Sequence, residues 1–183
     1  MEEKLTELAR WKTLDSRILH KNPFWTYKMD RFEIPGKMRG EYYFVTTNGS
    51  SMVIPVTEDG KVGLVKQYRY LCDRDCIEFP CGSVKPNSDH LETAHAELAE
   101  EAGVQAGNMQ LIGEYNPYNG VTTEMCNVYL ATKLIQTESR PDATEEFERL
   151  WLLPAELDAL IRAGEIWDGM TLAAWALAQP HLR

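Results

Sequence analysis

The stretch EFPCGSVKPNSDHLETAHAELAEEAGV, residues 78–104, constrains the fold more than any other part of the chain. It predicts a helix over His90–Ala102, because apolar residues repeat there at helical spacing and Gly103 follows as a C-terminal stop. The apolar stripe consists of Leu91, Ala94, Leu98 and Ala102. The chain must therefore place an amphipathic helix directly after a glycine-containing turn.

Three glutamates share one face of this predicted helix. Glu97, Glu100 and Glu101 stand at positions i, i+3 and i+4. Like charges at this spacing destabilise a helix by a few tenths of a kcal/mol per pair. A hard cation such as Mg²⁺ or Mn²⁺ removes the repulsion, since it prefers carboxylate oxygens. The alternative interpretation is a solvated acidic face in an unrelated α+β fold.

Strand-like text precedes the helix. The runs are WTYKMDRFEI, EYYFVTT, SMVIPVT and KVGLVKQYRY, between residues 25 and 70. Asn48-Gly49 and Asp59-Gly60 separate some of them, and both dipeptides predict hairpin turns. Residues 1–20 are predicted to be weakly helical, on the spacing of Leu5, Leu8 and Trp11.

Further strands are predicted after the acidic helix, at Met109–Tyr115, Cys126–Ile135 and Phe147–Leu153. Pro154 opens a helix through about Ala163, and Trp167–Ala178 predicts another. Strands flanked by a few helices, without regular alternation, indicate a mixed sheet covered by helices on its faces.

Composition narrows the class of partner. A length of 183 residues fits one domain, and the net charge of -9 argues against a nucleic-acid backbone as ligand. No apolar run approaches the roughly 20 residues that cross a bilayer. The acidic MEEKLTELARW start lacks the basic-then-apolar layout of a signal peptide. We expect a cytoplasmic protein with no membrane partner.

The four cysteines do not form a metal-binding pattern. They are Cys72, Cys76, Cys81 and Cys126, with no CxxC pair and no histidine close to the first two. A zinc site is the less favoured interpretation, and reduced thiols in a cytoplasmic protein are the simpler one.

The acidic helix and its preceding glycine resemble the Nudix box. Gly82 stands at the opening glycine of that pattern, and the residues that follow at the expected spacings are Glu97, Leu98, Glu100, Glu101, Gly103 and Val104. Upstream, Cys76–Gly82 and Lys66–Tyr70 are similar to the corresponding text of the ADP-sugar pyrophosphatases, the ADP-ribose-cleaving branch. The chain is thus identified as a member of the Nudix superfamily.

The resemblance implies a fold and a domain plan. The fold is a Nudix-type α/β/α sandwich, of the α/β (α+β) class, with a mixed β-sheet and an N-terminal antiparallel β region. Residues 1–183 form a single Nudix domain. Within it, about 1–50 form a helix and strand region that makes a homodimer, and about 51–183 form the catalytic core.

Two positions depart from the box. Ser88 stands where the pattern has its first glutamate, and Ala96 stands where it has arginine. Loss of a partner that supports a metal ligand typically costs about 10–100-fold in metal affinity or activity. The glutamate and the arginine of the pattern are both absent here. Loss of both members of a polar pair costs less than loss of one, because no group is left without its partner. We expect a weakened or retuned metal site.

The resemblance also implies a metal site for Mg²⁺ or Mn²⁺. Glu97 and Glu101 are the expected direct ligands, and Glu100 shares ligation or holds a metal-bound water. The backbone carbonyl of Cys81 adds an oxygen. Its thiol is incidental, because a thiolate suits Mg²⁺ poorly.

Substrate contacts are expected from two residues upstream of the box. Arg69 is the candidate for the diphosphate, because guanidinium matches phosphate geometry. Glu78 occupies a position that lies at the metal and substrate edge in this branch. A surface salt bridge and an edge-strand charge are the respective alternatives.

A general base is delivered in this branch by a glutamate from a mobile loop after the box. The segment Arg140–Glu148 suits that role, with Glu145 ranked slightly above Glu146. A merely solvated loop is the alternative for both residues.

The nucleobase needs a flat apolar platform. Trp25 is the preferred candidate among the aromatic residues of the N-terminal strands, although aromatic strand residues more often belong to a core. Tyr118 and Glu124, in the loop with the Asn119-Gly120 turn, are candidates for contact with the sugar.

The sequence therefore predicts an enzyme, a Nudix pyrophosphohydrolase. Its reaction would be metal-dependent hydrolysis of the pyrophosphate bond of a nucleoside diphosphate sugar such as ADP-ribose, giving a nucleoside monophosphate and a sugar phosphate. Two alternatives stay open. One is a Nudix hydrolase of another nucleoside polyphosphate, and the other is a nucleotide-binding module with weak or no catalysis.

Overall fold

The computed structural model describes residues 8–137, 146 and 148–182. The chain divides into two compact units. The first comprises Met1–Thr47 and Tyr118–Glu124, and the second comprises Asn48–Pro117 and Met125–Arg183.

The first unit contains one antiparallel sheet in the order β1-β2-β3. Its strands are β1 (Lys12–Lys21), β2 (Thr26–Ile34) and β3 (Met38–Thr46). The strands predicted at residues 25–34 and 41–47 are confirmed, and the predicted N-terminal antiparallel region is this sheet. A bridge between Val45 and Thr122 ties residues 118–124 to β3.

The weak helix predicted for residues 1–20 is wrong over residues 12–20, which belong to β1. Pairing with β2 gives the backbone groups on one side of β1 a partner strand, with two register shifts along the way. The Trp11 ring stacks on Phe32 of β2 with centroids 4.4 Å apart, whereas Leu8 is largely exposed. Residues 1–7 lie outside the described part of the chain.

The second unit contains two sheets. A mixed four-stranded sheet has the order β7-β4-β9-β8, with β4 parallel to β9. Its strands are β4 (Ser50–Pro55), β7 (Cys81–Ser83), β8 (Val104–Tyr115) and β9 (Cys126–Gln136). An antiparallel sheet has the order β10-β5-β6. Its strands are β5 (Val62–Arg69), β6 (Arg74–Glu78) and β10 (Glu148–Leu152).

Neither predicted hairpin forms as expected. At Asn48-Gly49 the flanking strands β3 and β4 belong to different sheets, so that prediction is wrong. Asp59-Gly60 does form a tight turn, in which the Gly60 N–H donates to the Thr57 carbonyl at 3.0 Å. The strands on either side, β4 and β5, nevertheless enter different sheets after a bridge between Val56 and Val62.

Three α-helices confirm the predicted ones within one or two residues. They are α1 (His90–Glu100), α2 (Pro154–Ala163) and α3 (Gly169–Ala178). The α1 helix begins at a capping box formed by Asp89 and Glu92. Gly103, predicted as the stop, has a φ of 68°, which a residue without Cβ adopts at no steric cost. Of the helices in the described part of the chain, none is long and apolar enough to span a membrane.

The central strand β4 is buried on both faces. Val53 packs in one core with Ala94 and Leu98 of α1. Met52 and Ile54, which alternate with Val53 along the strand, pack in a second core with Trp175 of α3. Helices therefore cover both faces of the mixed sheet, and the predicted α/β/α sandwich is confirmed.

Candidate active site

The acidic face of α1 lies against the short strand β7. Glu101 is 4% exposed, and its Oε2 accepts a hydrogen bond from the Cys81 N–H at 3.1 Å. Glu97, one turn earlier, places its carboxylate directly beside Gly82. The carboxylates of Glu97 and Glu101, at the end of α1, thus both contact the dipeptide Cys81-Gly82.

Gly82 is required by this arrangement. A Cβ built at position 82 would overlap the carboxylate of Glu97. The backbone of β7 therefore approaches the Glu97 side chain more closely than any residue with a side chain would allow. The opening glycine of the box and its first helix glutamate are thus in direct contact.

Glu100 lies on the same helix and is half-buried. Among residues 8–137, 146 and 148–182, no group of three or more His, Cys, Asp or Glu side chains is already assembled for metal binding. What the structure brings together is the pair Glu97 and Glu101 at Cys81-Gly82. Carboxylate oxygens such as these suit Mg²⁺ or Mn²⁺ and do not suit a soft metal.

The thiol of Cys81 is held in its neutral form. Its pKa lies well above the ordinary value, because of a hydrogen bond with Cys126, burial, and the negative charges of Glu101 and Glu97. The incidental role of the Cys81 thiol stays a prediction. All four cysteines are free.

Arg69 and Glu78 form an ion pair across β5 and β6. The Arg69 Nε donates to Glu78 Oε1 at 2.7 Å, and the Nη2 donates to the second oxygen, Oε2. Glu78 is buried, whereas the Arg69 side chain is 45% exposed. The hydrogen bond to Glu78 raises the pKa of Arg69 above its ordinary value, and the negative charge of Glu101 raises it as well. Glu78 is therefore not an exposed edge-strand charge.

The pair lies on a cleft of about 550 Å³ in the second unit. Cys81 and Met52 also line it, so the cleft adjoins the dipeptide that receives the two glutamates. Trp167 and Met170, at the start of α3, line the cleft as well. The site therefore combines the carboxylates of Glu97 and Glu101, the guanidinium of Arg69 and a cleft with apolar side chains.

The structure shows the surroundings of Ser88 and Ala96, the two positions that depart from the box. Ser88 donates its hydroxyl proton to Glu92 Oε2 at 3.0 Å, and so joins the capping box at the start of α1. Ala96 is exposed on α1.

Four further residues are predicted for the site, namely Trp25, Glu124, Glu145 and Glu146. Trp25, which is 40% exposed, and Glu124, which is half-buried, belong to the first unit, whereas Arg69 and Glu78 belong to the second. Glu146 is exposed, and Glu145 lies outside the described residues. The roles of these residues therefore stay predictions.

Sequence reasoning missed two features. Trp167 lines the cleft, whereas the sequence predicts only the start of a helix at this residue. Its position next to the helix cap Asp168 was the available signal. The second feature is the contact of α1 with β4, where Ser51 donates its hydroxyl proton to the His90 carbonyl at 2.8 Å. No local sequence pattern predicts the contact between Ser51 and His90.

Comparison with known proteins gives matches over most of the chain. The NUDIX domain family model matches residues 47–173. The chain is 30% identical over 168 residues to an ADP-ribose pyrophosphatase of Mycobacterium tuberculosis (strain ATCC 25618 / H37Rv), which covers 89% of this chain and 80% of that protein. It is 27% identical over 155 residues to a CMP-5'-(N-acetyl-N-hydroxy-3-aminopropyl)phosphonate hydrolase of Streptomyces rubellomurinus (strain ATCC 31215), covering 85% and 75%.

A solved structure agrees with these matches. The crystal structure of an ADP compounds hydrolase superposes with a TM-score of 0.85 at 19% identity, covering 97% of each chain, and so shares the fold. The family model spans more than half of this chain, and its matched region includes α1, β7 and the cleft residues. The chain belongs to the Nudix family, resembles the ADP-ribose pyrophosphatases within it, and is a Nudix hydrolase.

Proposed function

We propose that this hydrolase cleaves the pyrophosphate bond of a nucleoside diphosphate sugar such as ADP-ribose, in a reaction that depends on Mg²⁺ or Mn²⁺. The products are a nucleoside monophosphate and a sugar phosphate. The observation that carries the proposal is the meeting of Glu97 and Glu101 at Cys81-Gly82, beside a cleft that also holds Arg69.

Glu97 and Glu101 would hold the divalent ion, with Glu100 and the Cys81 carbonyl completing the oxygen donors. When bound, the ion neutralises phosphate charge and lowers the pKa of an attacking water. Gly82 contributes by letting Glu97 lie against the strand. The buried Glu101 is held by the Cys81 N–H, which fixes the direction in which its carboxylate points.

Arg69 would bind the diphosphate. A guanidinium offers two edges for bidentate contact, and Glu78 engages the edge formed by Nε and Nη2. The end-on edge can then receive phosphate oxygens, while the buried carboxylate of Glu78 fixes the plane of the guanidinium. Glu78 is on this account a positioning residue for Arg69.

Glu145 and Glu146 remain our candidates for the general base, with Glu100 as the residue that orients the attacking water. Glu146 is exposed, which suits a group that must exchange protons with solvent. For Trp25 and Glu124 we keep the proposal that they contact the base and the sugar.

The relatives support the substrate class. One is named as an ADP-ribose pyrophosphatase and one solved structure as an ADP compounds hydrolase. Another relative is named for a CMP-linked phosphonate, so a nucleoside monophosphate joined to a second acidic group is the feature shared by the names. Substrates with that shared feature form the first test panel.

We further propose that the two units act as one Nudix domain in a cytoplasmic homodimer. The sheet of the first unit exposes large apolar side chains, among them Leu14, Ile18, Leu19 and Tyr43. Burial of such side chains against a second copy would favour association. Light scattering on the purified protein measures the assembly, and a monomer at micromolar concentration would contradict this proposal.

The experiment that tests the function is a product assay. The protein is incubated with Mg²⁺ or Mn²⁺ and ADP-ribose, other nucleotide sugars, a CMP-linked phosphonate or ATP, and nucleoside monophosphate release is measured. We expect release of AMP and ribose 5-phosphate from ADP-ribose, and none after chelation of the metal. Tight nucleotide binding with no turnover under either metal would instead support the nucleotide-binding module.

A further inference from the structure

Glu101 stands at the end of α1, where a helix frays most readily. It is the C-cap of α1, and its N–H donates to the Glu97 carbonyl at 2.9 Å. Helix ends fray because their last carbonyl groups lack partners within the helix. The carboxylate of Glu101 accepts a hydrogen bond from the Cys81 N–H, so fraying of this turn would move the carboxylate away from β7.

The end of α1 also concentrates negative charge. Glu97, Glu100 and Glu101 lie where the helix dipole is negative, and like charges at this spacing repel one another. The last turn of α1 contains no basic residue, and Ala96 stands where the Nudix box has arginine. Helix α2 differs, because Arg162 lies in its own last turn. A protein cation at the end of α1 therefore has to come from another element.

Arg149 of β10 supplies a cation at this place. Its Nε–H donates to the Glu101 carbonyl at 2.8 Å. The guanidinium also lies against Gly103, since a Cβ built on this glycine would stand 3.2 Å from Arg149 Cζ and 3.3 Å from its Nη1. A guanidinium in this position gives one of the last carbonyls of the helix a partner and complements the helix dipole.

The strand that carries Arg149 is anchored independently of α1. β10 pairs with β5, and Arg149 stands opposite Val65, which is fully buried. The backbone of Arg149 is thus fixed by the antiparallel sheet, whereas its side chain reaches the helix that packs on the mixed sheet. This contact joins the antiparallel sheet to the end of α1.

We propose that Arg149 is a positioning residue for Glu101, holding the backbone of that residue while β7 holds its carboxylate. The inference rests on the proposed function, because it concerns a carboxylate that would hold the divalent ion. Arg149 contacts neither the ion nor the substrate on this account. Its guanidinium keeps the last turn of α1 formed, and the Glu101 carboxylate then stays beside Cys81 before an ion binds.

The first measurement is Mn²⁺ binding, with the free ion followed by electron paramagnetic resonance. Turnover is a less direct readout, because Glu146, a candidate for the general base, lies in the same segment as Arg149. We expect Arg149→Ala to bind Mn²⁺ about tenfold more weakly than the wild-type protein. This is the lower end of the roughly 10–100-fold range for residues that support a metal ligand, because Arg149 is exposed and water can replace part of its hydrogen bonding.

A conservative variant separates the role of the side chain from a folding defect. Arg149→Lys should restore Mn²⁺ affinity to within about threefold of the wild-type value, since an ammonium group keeps the positive charge and can donate to a helix carbonyl. If circular dichroism shows that Arg149→Ala does not fold, Arg149→Met takes its place, because methionine keeps an apolar stem and lacks the charge and the donors.

Arg162→Ala is the matched control. It also removes an exposed arginine from the C-terminal end of a helix, but from α2. We expect its Mn²⁺ affinity to stay within about twofold of the wild-type value, because the effect of a helix-end charge falls off within the last turn. An equal loss of affinity in Arg162→Ala and Arg149→Ala would show a general effect of lost charge and would overturn the assignment.

Amide hydrogen exchange without metal is the second measurement. The Cys81 N–H donates to the Glu101 carboxylate, whereas the Val53 N–H donates to the Pro80 carbonyl at 2.8 Å, a hydrogen bond in which α1 takes no part. In Arg149→Ala we expect exchange of the Cys81 amide to quicken by about tenfold relative to that of Val53, because the opening is local. An equal change at the two amides would mean a merely structural role and would contradict the proposal.

Failure of this inference can be told from failure of the proposed function. Wild-type Mn²⁺ affinity in Arg149→Ala, together with weaker affinity in Glu97→Gln, would overturn the role of Arg149 and leave the metal site in place. No saturable Mn²⁺ binding by the wild-type protein would overturn the proposed function and this inference with it.

Discussion

The two ends of α1 are held in different ways. At its start, Asp89 and Glu92 cap the helix, Ser88 joins them through Glu92, and His90 contacts Ser51 of β4. At its end, Glu97 and Glu101 contact β7, and Arg149 of β10 donates to the Glu101 carbonyl at 2.8 Å. The start therefore combines a local cap with a contact to β4, whereas the end is held by contacts with β7 and β10.

This difference explains why the sequence can depart from the box in one place and match it in the other. Ser88 belongs to the local capping network, and Ala96 is exposed, so neither is needed for contact with Cys81-Gly82. Glu97 and Glu101 make that contact themselves. The start of α1 thus carries a helix cap at the divergent positions, while the end places the matching glutamates against β7.

The largest effect is expected when the end of the helix loses charge. Glu97→Gln and Glu101→Gln should each lower metal-dependent hydrolysis by more than about 100-fold, since loss of a ligand exceeds the roughly 10–100-fold loss seen for supporting residues. The fold should persist, because glutamine retains an acceptor oxygen. The measurement is kcat with ADP-ribose across Mg²⁺ concentrations, with circular dichroism as the check on folding. Full rates in both variants would remove these residues from the mechanism.

Gly82→Ala should give the next largest effect. The added methyl group would overlap the Glu97 carboxylate, so that side chain must move away from β7. We expect hydrolysis to fall by about 10–100-fold, as when a supporting residue is lost. The matched control is Gly120→Ala, because a Cβ there meets no atom within 4 Å. Equal rates in the two variants would show that close approach at Gly82 does not matter for the reaction.

A smaller effect is expected from restoring the box at the start of α1. Ser88→Glu with Ala96→Arg should raise metal affinity by up to about tenfold, if the absent pair weakens the site. Ala96→Arg alone is the control, because arginine there can pair with Glu92 one turn earlier and stabilise the helix without the new glutamate. Manganese titration of both proteins measures the difference. No gain from the double change would mean that the local network around Glu92 already replaces the pair.

The smallest functional effect is expected from Asp89→Ala. Loss of the cap should lower the free energy of unfolding by about 1 kcal/mol, seen as a lower denaturation midpoint in urea. Hydrolysis at saturating metal should stay within about twofold, because Asp89 acts at the start of the helix. A loss of activity as large as that of Gly82→Ala would show that the two ends of α1 are not separable.

The parts of the fold that could be predicted from sequence are those fixed by local spacing. The α1 helix, its stop at Gly103 and the opening of α2 at Pro154 follow from periodicity and capping residues. Strand pairing does not follow from them. The turn residues Asn48-Gly49 predicted a hairpin, but β4 takes its neighbours from distant parts of the chain, β7 and β9.

The same distinction between local spacing and strand pairing applies to the residues of the candidate site. Gly82 and Glu97 could be named from the spacing of the box, and Arg69 from the similarity of Lys66–Tyr70 to the ADP-sugar pyrophosphatases. That Arg69 would engage Glu78 depends on the register of β5 with β6, which no motif states. Trp167 enters the cleft because α3 packs beside the mixed sheet, and a reading of residues 167–178 alone shows only the start of a helix.

Manganese binding tests the central claim most directly. Mn²⁺ is titrated into the wild-type protein and into Glu97→Gln, and free ion is followed by electron paramagnetic resonance. We expect saturable Mn²⁺ binding by the wild-type protein and an affinity for Mn²⁺ at least tenfold weaker in Glu97→Gln. Equal affinities in the two proteins would contradict it, because the carboxylate beside Gly82 would then take no part in holding the ion.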